Sequence, residues 1–181
     1  MKTGGTPTPR DAAAKLLSRT LTKDGTPLEL PVDVEHVCDM LDIRIRVEPL
    51  RHGIDAMLSR PGPTITVARY ENQPPDELNP YQRFIVAHVL GHYTLHPESD
   101  WSIEEGILEA HYGDIQPHPS GKPWNTPEEQ WASEFAWNLL APPGLVLHRI
   151  RDHTPLNDMC REFNMYRDMM ANRVEQLGGQ P

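Results

Sequence analysis

"RFIVAHVLGHYTLH", Arg83 to His96, sets two histidines four residues apart in a run that reads as helix. The run follows Pro80 and stops at Pro97, so the expected helix spans roughly residues 80–96. On a helix, residues four apart project from one side, about 40° apart around the axis. Imidazoles at His88 and His92 can therefore grip one ion, at nitrogen–metal distances of about 2.0–2.1 Å. Chance weighs against this. A random chain with nine histidines in 181 residues holds roughly 0.4 such pairs, and this one has two, because His92 and His96 are also four apart. Spacing alone does not establish a metal site. His96, beside Pro97, is read as a cap on the helix end, where positive charge is favoured. Gly91 leaves room for another segment or a substrate to approach, at some cost in helix stability.

Two imidazoles do not hold a catalytic ion securely, and a third protein ligand is needed. Glu129 is the candidate, with Glu128 next to it, in the first turn of "TPEEQWASEFAWNLLAPPG". That segment is a well-marked helix: Thr126 as N-cap, Pro127 at the first helical position, Pro142-Pro143-Gly144 as the stop. Its opening T-P-E-E is also a capping box, in which Glu129 would reach back to the Thr126 backbone. Judged on spacing only, the cap is the stronger of the two readings.

Around these helices the chain reads as one α+β domain. Residues 1–10 are a flexible leader, and residues 11–181 form a single domain. Within it, 11–42 hold N-terminal helices, 43–70 a small sheet, 80–142 the two marked helices and 145–181 two C-terminal helices. "DAAAKLLSRTL" begins at an N-cap type residue, Asp11. "LPVDVEHVCDMLDI" places Val34, Val37, Cys38 and Leu41 at helical spacing. "IRIRVEP" then alternates, with Ile and Val inward and Arg and Glu outward, as a half-buried strand does. "DAMLSR" and "TITVAR", parted by the turn signal "RPGP", complete a sheet of about three strands, expected to be mostly antiparallel and packed on the histidine helix. Residues 98–125 are irregular and polar. In the tail, "PLNDMCREFN" and "MYRDMMANRVEQLGG" are the two helices, the second closed by Gly178.

Composition narrows the function classes. A formal charge of −9 argues against general affinity for a phosphate backbone, so no direct nucleic-acid partner is expected. The apolar fraction of 38% lies well above the disordered class. Cys38 and Cys160 stand far apart in no C-x-x-C spacing, which favours a reducing compartment over a disulfide framework. No signal-peptide core and no apolar run of about 18 residues is present, so a cytoplasmic protein without a membrane partner is expected. Nothing marks a nucleophilic serine, a phosphate-binding glycine loop or a reactive cysteine.

Taken together, the two marked helices resemble the ImmA/IrrE family of metallopeptidases. "RFIVAHVLGHYTLH" is similar to that family's R-F-x-x-A-H-E-x-G-H-x-x-L-H helix. "EEQWASEFAWNLLAPP" resembles its second signature, E-x-x-A-N-x-F-A-x-x-L-L-x-P, with Glu129, Ala132, Phe135, Ala136, Leu139, Leu140 and Pro142 in register. "PVDVEHVCDMLDIRIRV" looks like the family's opening and "MYRDMMANRVEQLG" like its closing helix, so nearly the whole chain is covered. The resemblance implies a compact zincin-like α+β fold and a Zn2+ ion held by His88, His92 and Glu129. It also implies a role in gene regulation, often on mobile elements, with a helix-turn-helix type repressor as protein partner.

Two residues depart from the pattern. Ser133 replaces an asparagine of the second signature, and Val89 replaces the glutamate of the first. In a zinc peptidase of this kind that glutamate is the general base and not a ligand, so its loss leaves the three metal contacts available. General acid–base help is worth about 10²–10⁴ in rate, and valine accepts no proton. The expectation is a zinc-binding protein with lost or weakened proteolysis. Three accounts stand open: a natural non-cutting relative, an inactivated laboratory variant, or an active zinc endopeptidase using a displaced carboxylate. Glu98, Asp100, Glu104, Glu105 and Glu109, just beyond the helix, are the displaced candidates. His111 and His118 are weaker metal candidates, and Tyr93 and Tyr112 weaker oxyanion donors. Trp131, Phe135 and Trp137 are read as core and its margin.

Overall fold

The computed structural model describes residues 6–22, 27–51, 54–59, 62–71, 73–74, 77–95 and 126–181. Among them run α1 (Pro9–Thr20), α2 (Val34–Asp39), β1 (Arg44–Glu48), β2 (Ala56–Ser59), β3 (Thr64–Ala68), α3 (Pro80–Leu95), α4 (Pro127–Leu140), α5 (Pro143–Arg151), α6 (Leu156–Phe163) and α7 (Arg167–Gln176). The class is α+β, as the pattern of the sequence predicts.

The sheet is mixed, in the order β1-β3-β2. The antiparallel pairing expected of the turn at Gly62 holds for β2 and β3, with Leu58 opposite Ile65. β1, however, lies parallel to β3, with Ile45 opposite Ile65, so the sheet is not mostly antiparallel. The reason is connectivity: β3 returns between β1 and β2, and β2 serves as the crossover that a parallel pair requires. Ile65, Val67, Ala56 and Leu58 point into the core, while β1 alternates between exposed Arg44, Arg46 and Glu48 and half-buried Ile45 and Val47. β1 is an edge strand with one wet face, as its alternation requires.

α3 is the central element. Every residue from Gln82 to His92 is buried, which is how a helix reads when it is enclosed on all sides and not along one stripe. Its start is a reciprocal cap: Gln82 N–H donates to Asn79 Oδ1 and Asn79 N–H donates to Gln82 Oε1, each at 2.9 Å. The Gln82 amide also donates to the Ala68 carbonyl at 2.7 Å, fastening the helix to the end of β3.

α4 lies between α3 and α1. Ala132, Phe135, Ala136, Leu139 and Leu140 form its buried face, and Trp137 tilts against Phe84 at 4.7 Å between ring centres. At its far end the buried Arg173 donates from Nε and Nη2 to the Ala141 carbonyl at 3.1 and 3.0 Å. A cation at a helix C-terminus suits the helix dipole. Burial, with Arg10 close by, lowers this guanidinium to about 10 although Glu134 opposes the shift, so it stays charged at neutral pH.

Two boundaries differ from the sequence reading. α1 starts at Pro9, inside the segment assigned to the leader, because Thr8 is its N-cap and accepts from Asp11 N–H at 3.1 Å. Trp131 Nε1–H donates to the Pro7 carbonyl at 3.1 Å, so this segment is tied to α4. The tail has three helices, not two. Pro142 ends α4, but Pro143 begins α5 at once, since proline fits a first helical turn as well as it stops a preceding one. Gly178 closes α7 as expected, with φ of 80° and its N–H on the Glu175 carbonyl.

Candidate metal centre

The centre is built from two helices that touch at a glycine. A Cβ on Gly91 would stand 2.9 Å from Ala132 Cα and 3.1 Å from the Ala132 carbonyl oxygen. The bare glycine therefore lets α3 and α4 approach backbone to backbone, and the segment for which Gly91 leaves room is α4. Gly91 lies between the two histidines and Ala132 lies one turn beyond Glu129, so this crossing sets the distance between them.

The three side chains converge. His88 Nε2 is 3.0 Å from Glu129 Oε2, His92 Nε2 is 3.3 Å from the same oxygen, and the two Nε2 atoms are 3.1 Å apart. Protons cannot satisfy this triangle. Each nitrogen needs a hydrogen to reach the oxygen, and two nitrogens that both carry hydrogens cannot bond to each other. A cation in place of those hydrogens satisfies all three at once. A tetrahedral ion with bonds of about 2.0–2.1 Å spaces its donors by about 3.3–3.4 Å, close to the separations found. Among the described residues, His88, His92 and Glu129 are the group able to hold a metal ion.

Electrostatics point the same way. Burial holds the His88 imidazole below its ordinary value, with the neighbouring His92 adding to the shift against the pull of Glu129, so His88 is neutral and keeps a lone pair. Burial alone would raise Glu129; hydrogen bonds from His88 and His92 more than offset it and keep the carboxylate ionised. Two imidazoles and an ionised carboxylate, the histidines only 4% and 8% exposed at their side chains, make a pocket of negative potential suited to a cation.

Glu129 is both cap and candidate ligand, through different atoms. Its backbone N–H donates to Thr126 Oγ1 at 3.2 Å, while its carboxylate is turned to the histidines. Ser133, one turn further along α4, sits with Oγ 3.2 Å from His88 Nδ1, a contact that sequence reasoning missed. Its signal was present: position 133 follows the candidate ligand by four residues and so shares its helix face. Val89 is fully buried in the apolar core and contributes no polar atom. Tyr93 is half-buried, Phe135 is in the core, and Trp131 and Trp137 are at its margin. His96, Glu98, Asp100, Glu104, Glu105, Glu109, His111, Tyr112 and His118 lie outside the described residues. Cys38 and Cys160 are both unbridged, and burial, with Asp39, Glu35 and Asp33, pushes the Cys38 thiol up to about 12. Among the described residues, no helix is long and apolar enough to cross a membrane. No model of a known protein family matches the chain, and no curated protein sequence matches it.

Proposed function

We propose that this protein is a zinc-binding, metallopeptidase-like regulator of the ImmA/IrrE type that recognises a helix-turn-helix repressor-type protein and has lost or weakened proteolysis. The observation that carries the reading is the triangle of His88, His92 and Glu129, whose 3.0–3.3 Å edges a cation satisfies and protons do not. Two imidazoles and one carboxylate suit Zn2+, a borderline-soft ion that accepts nitrogen and oxygen donors and keeps a fourth position open in catalytic sites. When bound there, zinc would supply Lewis acidity toward a carbonyl and a water.

The chain's own residues do the rest. α3 holds the His88 imidazole neutral by burial and sets His92 beside it, and α4 presents an ionised carboxylate from its first turn. What is missing is the proton acceptor. At position 89 a side chain sealed from solvent replaces it, so the loss is not one that a bound water can make good. The repressor-type partner rests on the two linked helix motifs. A cytoplasmic setting agrees with the unbridged cysteines.

Elemental analysis of the purified protein tests the metal. About one zinc per chain is expected, lost in His88→Ala and in Glu129→Ala. Full occupancy surviving Glu129→Ala would reduce that residue to its capping role, and no zinc in the unaltered chain would sink the reading. Val89→Glu tests the chemistry: cleavage of a co-expressed repressor-type partner should rise while zinc content stays constant. Strong, chelator-sensitive cleavage by the unaltered chain would instead establish an active endopeptidase with a displaced carboxylate.

A further inference from the structure

The Ser133 hydroxyl touches His88 on the side away from the metal-facing nitrogen, with Oγ 3.2 Å from Nδ1. A neutral imidazole carries one hydrogen, so the state of Nδ1 fixes the state of Nε2. For Nε2 to offer a lone pair to a cation, the hydrogen must be on Nδ1, where Ser133 Oγ accepts it. With no cation, the better arrangement is the other tautomer. Nε2–H then donates to Glu129 Oε2, 3.0 Å away, and Nδ1 needs a donor in turn. A carboxylate at position 133 could not be that donor. A hydroxyl can, by rotating about its Cβ–Oγ bond.

We propose that Ser133 is a positioning residue that makes metal binding reversible: its hydroxyl accepts from His88 in the loaded centre and donates to it in the empty one. This inference rests on the zinc-centre reading above. The balance is simple. One hydrogen leaves Nδ1 and one arrives at Nε2 through solvent, the hydroxyl hydrogen turns toward Nδ1, and His88 neither gains nor loses charge. Both states keep the buried ring satisfied on both sides, so neither carries the cost of an unpaired buried nitrogen. Loading and unloading then leave His88 itself satisfied in either state, and the unsatisfied contact of the empty triangle falls on His92.

The test uses zinc itself. Affinity is measured by competition with a chromophoric chelator for the unaltered chain, Ser133→Ala, Ser133→Thr and Ser133→Asp. Removing an outer partner of a ligating histidine is expected to cost about 10–100-fold in affinity, so Ser133→Ala should fall in that range. Ser133→Thr, which keeps the hydroxyl, should restore it. Ser133→Asp, which only accepts, should bind more tightly and release more slowly than the unaltered chain. The second readout is nitrogen NMR of His88, which should report Nε2–H in the zinc-free protein and Nδ1–H in the loaded one. Unchanged affinity in Ser133→Ala, or the same His88 tautomer in both states, overturns the role of Ser133 while leaving the zinc reading intact. An unaltered chain that takes up no zinc overturns both.

Discussion

Replacing Gly91 by alanine should damage metal binding more than it damages the fold. The added Cβ would stand 2.9 Å from Ala132 Cα, 3.1 Å from its carbonyl oxygen and 3.2 Å from its Cβ, where ordinary carbon contacts are about 3.5–4.0 Å. Two of the three neighbours are backbone atoms, so no rotamer change relieves the clash and the helices must part by about 0.5–1 Å. On stability two effects compete. Alanine gains about 1 kcal/mol of helix propensity over glycine, and overpacking costs about 1–3 kcal/mol, leaving a net loss of roughly 0–2 kcal/mol. In a chain of this size that is a fall of only a few degrees in Tm, about 2–4 °C per kcal/mol. The centre is less forgiving, since ligand distances are held to about 0.2 Å. Parting α3 from α4 by more than that moves Glu129 away from a histidine pair that stays together, so Gly91→Ala should approach Glu129→Ala in zinc affinity, with a loss of at least about tenfold. Chelator competition and thermal unfolding of the zinc-free protein, run side by side, give both numbers. Adding Ala132→Gly should not rescue binding, because it removes only the Cβ contact. Zinc affinity within about twofold of the unaltered chain, whatever the Tm, would refute the claim that this crossing sets the ligand geometry.

Two other outcomes follow from the same coordinates. Thr126→Ala removes the acceptor of the Glu129 N–H and should cost about 1 kcal/mol of order in the first turn of α4. That corresponds to about fivefold in zinc affinity by competition titration, and no change would mean that the turn is held by other contacts. Cys38 offers a pH test. Its thiol is raised from 9.0 to about 12 by burial, so above about pH 9 the unfolded chain loses a proton that the native one keeps. Stability should then fall as pH rises through that window, and the loss in urea midpoint between about pH 8 and about pH 10 should shrink in Cys38→Ala.

Features written within a few residues of each other were legible in the sequence. The i, i+4 histidine pair, the Thr126–Pro127 helix start, the alternation of β1 and the Gly178 stop each depend on one turn or one pleat of chain, and each took the expected form. Features that depend on distant partners were not. That β1 pairs parallel with β3 follows from the order in which strands return to the sheet, which no local pattern encodes. The contact of Ser133 with His88 spans 45 positions, and the space at Gly91 could be read as room for something without saying for what. Pro142-Pro143 is ambiguous for a different reason: proline's missing N–H is tolerated in a first turn, so one dipeptide both ends α4 and begins α5.

Glu129 shows why the cap and the ligand were never true alternatives. A capping box uses the N3 residue twice, once through its backbone N–H and once through its carboxylate reaching back to the N-cap. Here the first half is kept, since Thr126 Oγ1 accepts from Glu129 N–H, and the carboxylate is released to face the histidines. The first turn of a helix is where a carboxylate is best placed for either task, because the unpaired N–H groups and the dipole there favour negative charge. At Glu129 itself, hydrogen bonds from the two imidazoles keep the acid ionised against the burial that would otherwise neutralise it. The capping threonine also fixes the turn from which the carboxylate projects, so the cap positions the candidate ligand. A sequence rule that scores the two roles against each other therefore penalises a helix start for being well formed, when a well-formed start is what aims the carboxylate at the two histidines.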